Sequence, residues 1–143
     1  MRFLLILSML CAYMYTKAQD PFENKRWSTN TIIGATNFKF DSKIPEIILD
    51  TLDSKYPYGY ITNFLPDQTF ISYNIGPCGN ECRMTVKGTY LLTENRIELL
   101  ADSISYWKEC SNRPVEKLNT SLGSYLWQQK GTTIILTRES NKK

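Results

Sequence analysis

Residues 82–105 read CRMTVKGTYLLTENRIELLADSIS, and this stretch carries the strongest structural signal in the chain. Apolar and polar residues alternate along both halves, which is the pattern of a half-buried β-strand. A two-residue turn at 94–95 pairs Leu92 with Ile97 and Tyr90 with Leu99. The apolar faces of the two strands then coincide, so we expect an antiparallel hairpin with one side packed on a core.

Two more hairpins are expected on either side of the central one. Strand-like segments 58–65 and 68–75 flank the compact turn Pro66-Asp67, and 122–129 and 132–138 flank Lys130-Gly131. An earlier strand is expected at 27–33. Short strands with turn signals at this spacing predict an all-β fold, an antiparallel up-and-down meander that closes into a small barrel of about eight strands.

Segment 42–52 is ambiguous. Its apolar residues Ile44, Ile47, Ile48 and Leu52 have helical spacing, and Pro45 is tolerated in a first helical turn. The run at 47–49 also fits a short strand, and we favour a strand of the barrel.

The N-terminus has the layout of a secretory signal. Arg2 is followed by an apolar run from 3 to 15, and Thr16-Lys17-Ala18 places small residues at the −3 and −1 positions of a cleavage before Gln19. We therefore expect a signal peptide at 1–18, a single domain at 19–143, and a secreted, periplasmic or envelope location.

The apolar run is too short for a membrane anchor, which needs about 20 residues. A lipoprotein signal would acylate Cys11, but the preceding residue is Leu10 where a small residue is required. We expect no transmembrane anchor.

Charge and composition argue against several functions. Removing Arg2 and Lys17 leaves 15 basic against 14 acidic residues, a net charge of +1, which does not suit nucleic-acid binding. Histidine is absent, and this removes the usual histidine-dependent catalysis and imidazole metal sites. The carboxylates, including Asp67 and Glu98, are dispersed, with no compelling catalytic pair. We expect a protein that is not an enzyme and has no cofactor.

Three cysteines remain after removal of the signal: Cys78, Cys82 and Cys110. An exported chain forms disulfides by default. Extending the register of the central hairpin brings 77–79 opposite 110–111. A bulge near Gly76 and Pro77 would place the two cysteine side chains on the same face of the sheet. We therefore favour Cys78–Cys110, which leaves Cys82 free, over the alternative Cys82–Cys110.

Three stretches resemble a known family. They are YITNFLPDQTF at 60–70, KGTY at 87–90 with NRIEL at 95–99, and LWQQKGTTIILTR at 126–138. Together they resemble the small lipocalin-like, calycin-type β-barrel domains of exported bacterial proteins, with a second similarity to META-type envelope domains. The resemblance implies a barrel whose first strand contains Trp27 and a module that binds a small apolar or amphipathic ligand.

Two sets of residues are candidates for a binding surface. Tyr56, Tyr58 and Tyr60 form the densest aromatic cluster, suited to the mouth of a cavity or to a protein partner. A second set is expected to line or fill the barrel interior: Trp27, Phe64, Phe70, Met84, Tyr90 and Trp127. The expected function is ligand binding without catalysis; the alternative is a protein-interaction or envelope-structural domain without a ligand.

Overall fold

The computed structural model describes residues 20–52, 58–78, 80–107 and 110–140. These residues form ten β-strands and no α-helix, so the all-β prediction is confirmed. A helix able to cross a bilayer is not found within these ranges. The strands are β1 Arg26–Thr29, β2 Ala35–Thr36, β3 Lys39–Phe40, β4 Glu46–Thr51, β5 Gly59–Phe64, β6 Thr69–Ile75, β7 Arg83–Thr93, β8 Arg96–Trp107, β9 Glu116–Lys130 and β10 Thr133–Arg138.

Eight strands close into an antiparallel barrel in the order β1-β4-β10-β9-β8-β7-β6-β5, and β2 pairs with β3 in a separate hairpin. From β5 to β10 each strand pairs with the next, as a meander does. β1 lies between β4 and β5, and β4 pairs with β10 to complete the barrel. β4 also confirms a strand within 42–52: Ile47 and Leu49 are buried on one face, whereas Glu46 and Asp50 are exposed.

The central hairpin has the predicted register, because Leu92 pairs with Ile97 and Tyr90 with Leu99. The predicted turns also separate β5 from β6 and β9 from β10. The first strand ends at Thr29, earlier than predicted.

A β-bulge at Lys87/Gly88 shifts the register in the far half of this hairpin. A side chain at position 88 would place its Cβ 2.0 Å from the Leu100 carbonyl oxygen, so glycine is required. The bulge adds one residue to β8 and thereby reverses which residues face inward beyond it. Ile104 is accordingly in the core, and Trp107 is on the outside.

The barrel has two different ends. The turn end carries the tight connections at 65–68, 94–95 and 131–132, and the hairpin end carries the β2–β3 hairpin and the beginnings of β4 and β5. The connections alternate between the two ends because neighbouring strands of the barrel run in opposite directions.

The segment before β1 closes the turn end with Phe22, which is fully buried. Its ring lies 5.2 Å from that of Phe64 and 5.8 Å from that of Trp127, centroid to centroid. The Phe22 carbonyl accepts a hydrogen bond of 3.2 Å from Trp27 Nε1. Phe22 is therefore an integral part of the core.

The hairpin end is closed by the chain between β1 and β4. Ile32 and Ile33, expected to extend the first strand, instead turn inward and are buried. The Ile33 amide donates to Ser72 Oγ at 2.8 Å, and Tyr125 donates its hydroxyl to the Ile44 carbonyl at 2.9 Å. These bonds attach the segment between β1 and β4 to β6 on one side of the barrel and to β9 on the other.

The disulfide joins Cys82 and Cys110, whose Cα atoms are 5.1 Å apart, so the favoured pairing Cys78–Cys110 is wrong and the alternative is confirmed. The ladder between β7 and β8 reaches only Arg83 and Trp107, and Cys110 begins a turn closed by the Arg113 amide. The bulge also lies within the strands, not at 76–79 as expected. Among the described cysteines, Cys78 is free and exposed.

Candidate functional site

The six aromatic and methionine side chains expected inside the barrel are all found there. Five of them are no more than 4% exposed: Trp27, Phe64, Phe70, Met84 and Tyr90. The sixth, Trp127, is partly buried and packs against the core. The ring of Phe64 lies 5.0 Å from that of Tyr90, edge to face, and 6.2 Å from that of Phe70. Such contacts mean that these side chains fill the space around which they are arranged.

Several polar groups inside the barrel form hydrogen bonds within the fold, whereas Trp127 Nε1 is buried without a partner among the described residues. Thr62 and Ser72 share a hydrogen bond of 2.8 Å between their hydroxyl oxygens. The Tyr90 hydroxyl donates to Asp20 Oδ2 at 2.8 Å and to the Leu65 carbonyl at 3.2 Å. These groups are engaged in holding the barrel together, as buried polar groups usually are.

Two of the buried tyrosines, Tyr90 and Tyr125, have a raised pKa. Burial, and then the hydrogen bond to Asp20, raise the pKa of Tyr90 far above its ordinary value. Burial also raises the pKa of Tyr125, partly opposed by the nearby Arg138 guanidinium. Both hydroxyls donate hydrogen bonds within the fold.

Asp67 and Glu98 line one pocket of about 360 Å³ beside the turn end. Asp67 accepts bonds from the Thr69 hydroxyl at 2.6 Å and the Thr69 amide at 3.1 Å. These two bonds lower the pKa of Asp67. This carboxylate is therefore engaged within its own turn.

Exposed aromatic side chains gather at the hairpin end. Among the described residues, four aromatic side chains are more than a third exposed, and all belong to this end: Phe38 at 43%, Tyr58 at 62%, Tyr60 at 38% and Trp107 at 59%. Tyr58 and Tyr60 are two of the three predicted cluster residues, and Tyr56 lies outside the described residues. We call these four residues the aromatic end.

Phe38 is held outward by a strained turn. Asn37 and Phe38, between β2 and β3, have φ angles of 47° and 57°, in the left-handed region that bulky residues rarely adopt. Phe38 and Tyr60 line the same small depression in the surface. Backbone strain at an exposed aromatic residue is typical of positions that have a role beyond folding.

Trp107 stands on the outer wall as the cross-strand partner of Arg83. The Arg83 guanidinium lies over the ring of Tyr73, 4.2 Å from its centroid. Cys82 precedes Arg83 directly, so the disulfide fixes this corner of the barrel. The wall therefore presents a cation between two aromatic side chains, at the edge of the aromatic end.

Sequence reasoning missed Phe38, Arg83 and Trp107. Simple alternation continued from Ile97 and Leu99 places Trp107 inside the barrel, and only the bulge turns it outward. The signal that could have found it is Gly88, because an interior strand glycine often marks a bulge.

Comparisons with known proteins identify no relative of this chain. No family model matches the chain, and neither a curated protein nor a solved structure matches it significantly.

Proposed function

We propose that this protein is an exported binding module without catalytic activity, and that it holds a protein partner through the aromatic end. The observation that carries the proposal is the gathering of Phe38, Tyr58, Tyr60 and Trp107 at one end of the barrel. Tyrosine and tryptophan are enriched at interfaces because they offer large apolar area with a polar group. A folded protein gains nothing in stability by exposing such side chains to water.

Export is supported by two features. The signal-like N-terminus at 1–18 is one, and the Cys82–Cys110 disulfide is the other, because disulfides persist in oxidising compartments. Both support a secreted, periplasmic or envelope location.

The absence of an enzymatic role is supported by chemistry. The chain has no histidine. The polar groups described in the barrel, Tyr90, Thr62 and Ser72, are bonded within the fold. Asp67 is bound within its own turn.

A small apolar or amphipathic ligand inside the barrel is the second candidate, supported by the closed barrel and by its aromatic interior. Its difficulty is Phe22, which occupies the turn end in contact with Phe64 and Trp127. Such a ligand has to displace Phe22 or other core side chains before it can enter. Native mass spectrometry of protein purified from its own host tests this candidate: a co-purifying small molecule supports it, and an unliganded mass argues against it.

The proposed function is tested by capture from the extracellular and envelope fractions of the host. The wild-type chain is compared with the double variant Phe38→Ser and Tyr58→Ser, and with the control Leu91→Ser and Leu126→Ser. The control removes two apolar side chains that are 51% and 40% exposed elsewhere on the barrel.

We expect wild type and control to retain the same partner and the aromatic-end variant to lose it. Retention by all three proteins places the interface elsewhere and overturns the proposal. Thermal unfolding of each variant checks that the barrel is intact.

A further inference from the structure

Arg83 is held on the outer wall of the barrel by aromatic stacking. Its guanidinium lies 4.2 Å from the centre of the Tyr73 ring, and Trp107 is its direct partner on β8. Tyr73 is 7% exposed and Trp107 is 59% exposed, so one ring forms a floor and the other stands free beside it. A stacked arginine of this kind is fixed in direction without an ion pair.

The charge of Arg83 has no carboxylate counterpart among the residues that the structure describes. Within the described ranges, the ion pair found is that of Arg96 with Glu139, at 2.9 Å, and Arg83 has no carboxylate partner. Its Nε is buried without a hydrogen-bond acceptor among these residues. The residue as a whole is partly exposed, and the structure shows no carboxylate among the described residues that compensates its charge.

The backbone that carries Arg83 is held rigidly. The Asn74 side chain donates to the Cys82 carbonyl at 3.0 Å and accepts from the Met84 amide at 2.8 Å, one residue on each side of Arg83. The disulfide then ties Cys82 to Cys110. Because little freedom is lost when a partner binds, such a preorganised surface favours recognition.

We infer that Arg83, between Tyr73 and Trp107, receives the carboxylate of an Asp or Glu side chain from an acidic segment of a protein partner. The inference rests on the proposed function and names the chemistry of its partner. A guanidinium pairs with a carboxylate through two parallel hydrogen bonds, and an apolar group next to that carboxylate packs on Trp107. Tryptophan, tyrosine and arginine are also the residues most enriched at the energetic centres of protein interfaces.

A displayed library of random peptides, selected on the exported chain, tests this inference. The same selection is made on Arg83→Gln and on the control Lys87→Gln, which removes one exposed positive charge from the same strand. Enriched peptides are synthesised, and each acidic residue is exchanged for its amide.

We expect wild type and the Lys87 control to enrich peptides with Asp or Glu next to an apolar residue. Their affinity is expected to fall about tenfold or more on Arg83→Gln, and equally on exchange of the acidic residue for its amide. The two changes together should cost no more than either alone, because both remove one interaction. Arg83→Lys should keep only part of the affinity, since lysine lacks the forked geometry.

Enriched peptides without an acidic residue, or binding that is indifferent to Arg83→Gln, overturn the inference. If such peptides still depend on Tyr58 and Phe38, the proposed function stands while the role of Arg83 falls. An empty selection, or a chain that pairs with its own copy through Trp107 in light scattering, also overturns it. Exchange of the peptide's acid for its amide keeps the test decisive if Arg83→Gln does not fold.

Discussion

The rings of Phe22 and Phe64 lie 5.2 Å apart, and their contact closes the turn end of the barrel. Phe22 comes from the chain before β1, and among the described residues 20–25 it is the one that reaches the core. The barrel is thus completed by a residue outside its strands. This side chain takes part of the space that a small ligand inside the barrel would need.

Replacing Phe22 with Ala should lower the free energy of unfolding by about 3 kcal/mol, because a fully buried ring is lost and a cavity remains. Urea unfolding followed by tryptophan fluorescence measures this, since Trp27 and Trp127 lie beside the site. Leu126→Ala, on the outer surface, is the control and should cost less than about 1 kcal/mol. Equal effects of the two changes would show that Phe22 is not part of the core.

Removing the disulfide by the double change Cys82→Ser and Cys110→Ser should cost about 3–4 kcal/mol, because the bridge closes a loop with a sequence separation of 28. Cys78→Ser should leave stability unchanged, because Cys78 is exposed and unbridged. Both values come from denaturant unfolding under oxidising conditions. A loss for Cys78→Ser as large as that for the double variant would assign the bridge to Cys78 instead.

Gly88→Ala should destabilise the barrel by at least about 2 kcal/mol, since the added Cβ meets the Leu100 carbonyl oxygen and the Phe70 ring. Gly131→Ala is the matched control. Its Cβ has open space, and only the positive φ of 62° opposes it, so about 1 kcal/mol is expected. Thermal unfolding compares them, and a Gly88→Ala protein as stable as the control would contradict the bulge at this position.

Stability should fall as the pH rises above the ordinary tyrosine pKa of about 10. The folded state raises the pKa of Tyr90, so above that pH the unfolded chain loses a proton that the folded chain keeps, and alkali favours unfolding. Tyr90→Phe should weaken this dependence without abolishing it, because the pKa of Tyr125 is raised as well. Unfolding free energies between neutral pH and pH 11 or so test this, and an identical slope in wild type and variant would contradict it.

Local pattern was enough to predict the central sheet. The alternation around Leu92 and Ile97 determines both the strands and their register, because a shift by one residue exposes the whole apolar face. The interior position of Trp27 and Trp127 followed from the same reasoning.

Features that depend on long-range geometry could not be predicted in this way. A single extra residue near Gly88 changes the facing of Trp107, and because the ladder ends at Arg83 and Trp107, the strand register does not determine which cysteine reaches Cys110. Phe38 is exposed because the turn between β2 and β3 is strained, and sequence pattern does not report a φ angle. The candidate site was therefore only half foreseen, through Tyr58 and Tyr60.

Hydrogen exchange of the chain, measured with and without its captured partner, tests most directly the claim that the aromatic end is the binding surface. The account predicts slowed exchange in the backbone around Phe38, Tyr58 and Trp107, with the rest of the barrel unchanged. Slowed exchange confined to the turn end, around Phe22 and Phe64, would contradict it.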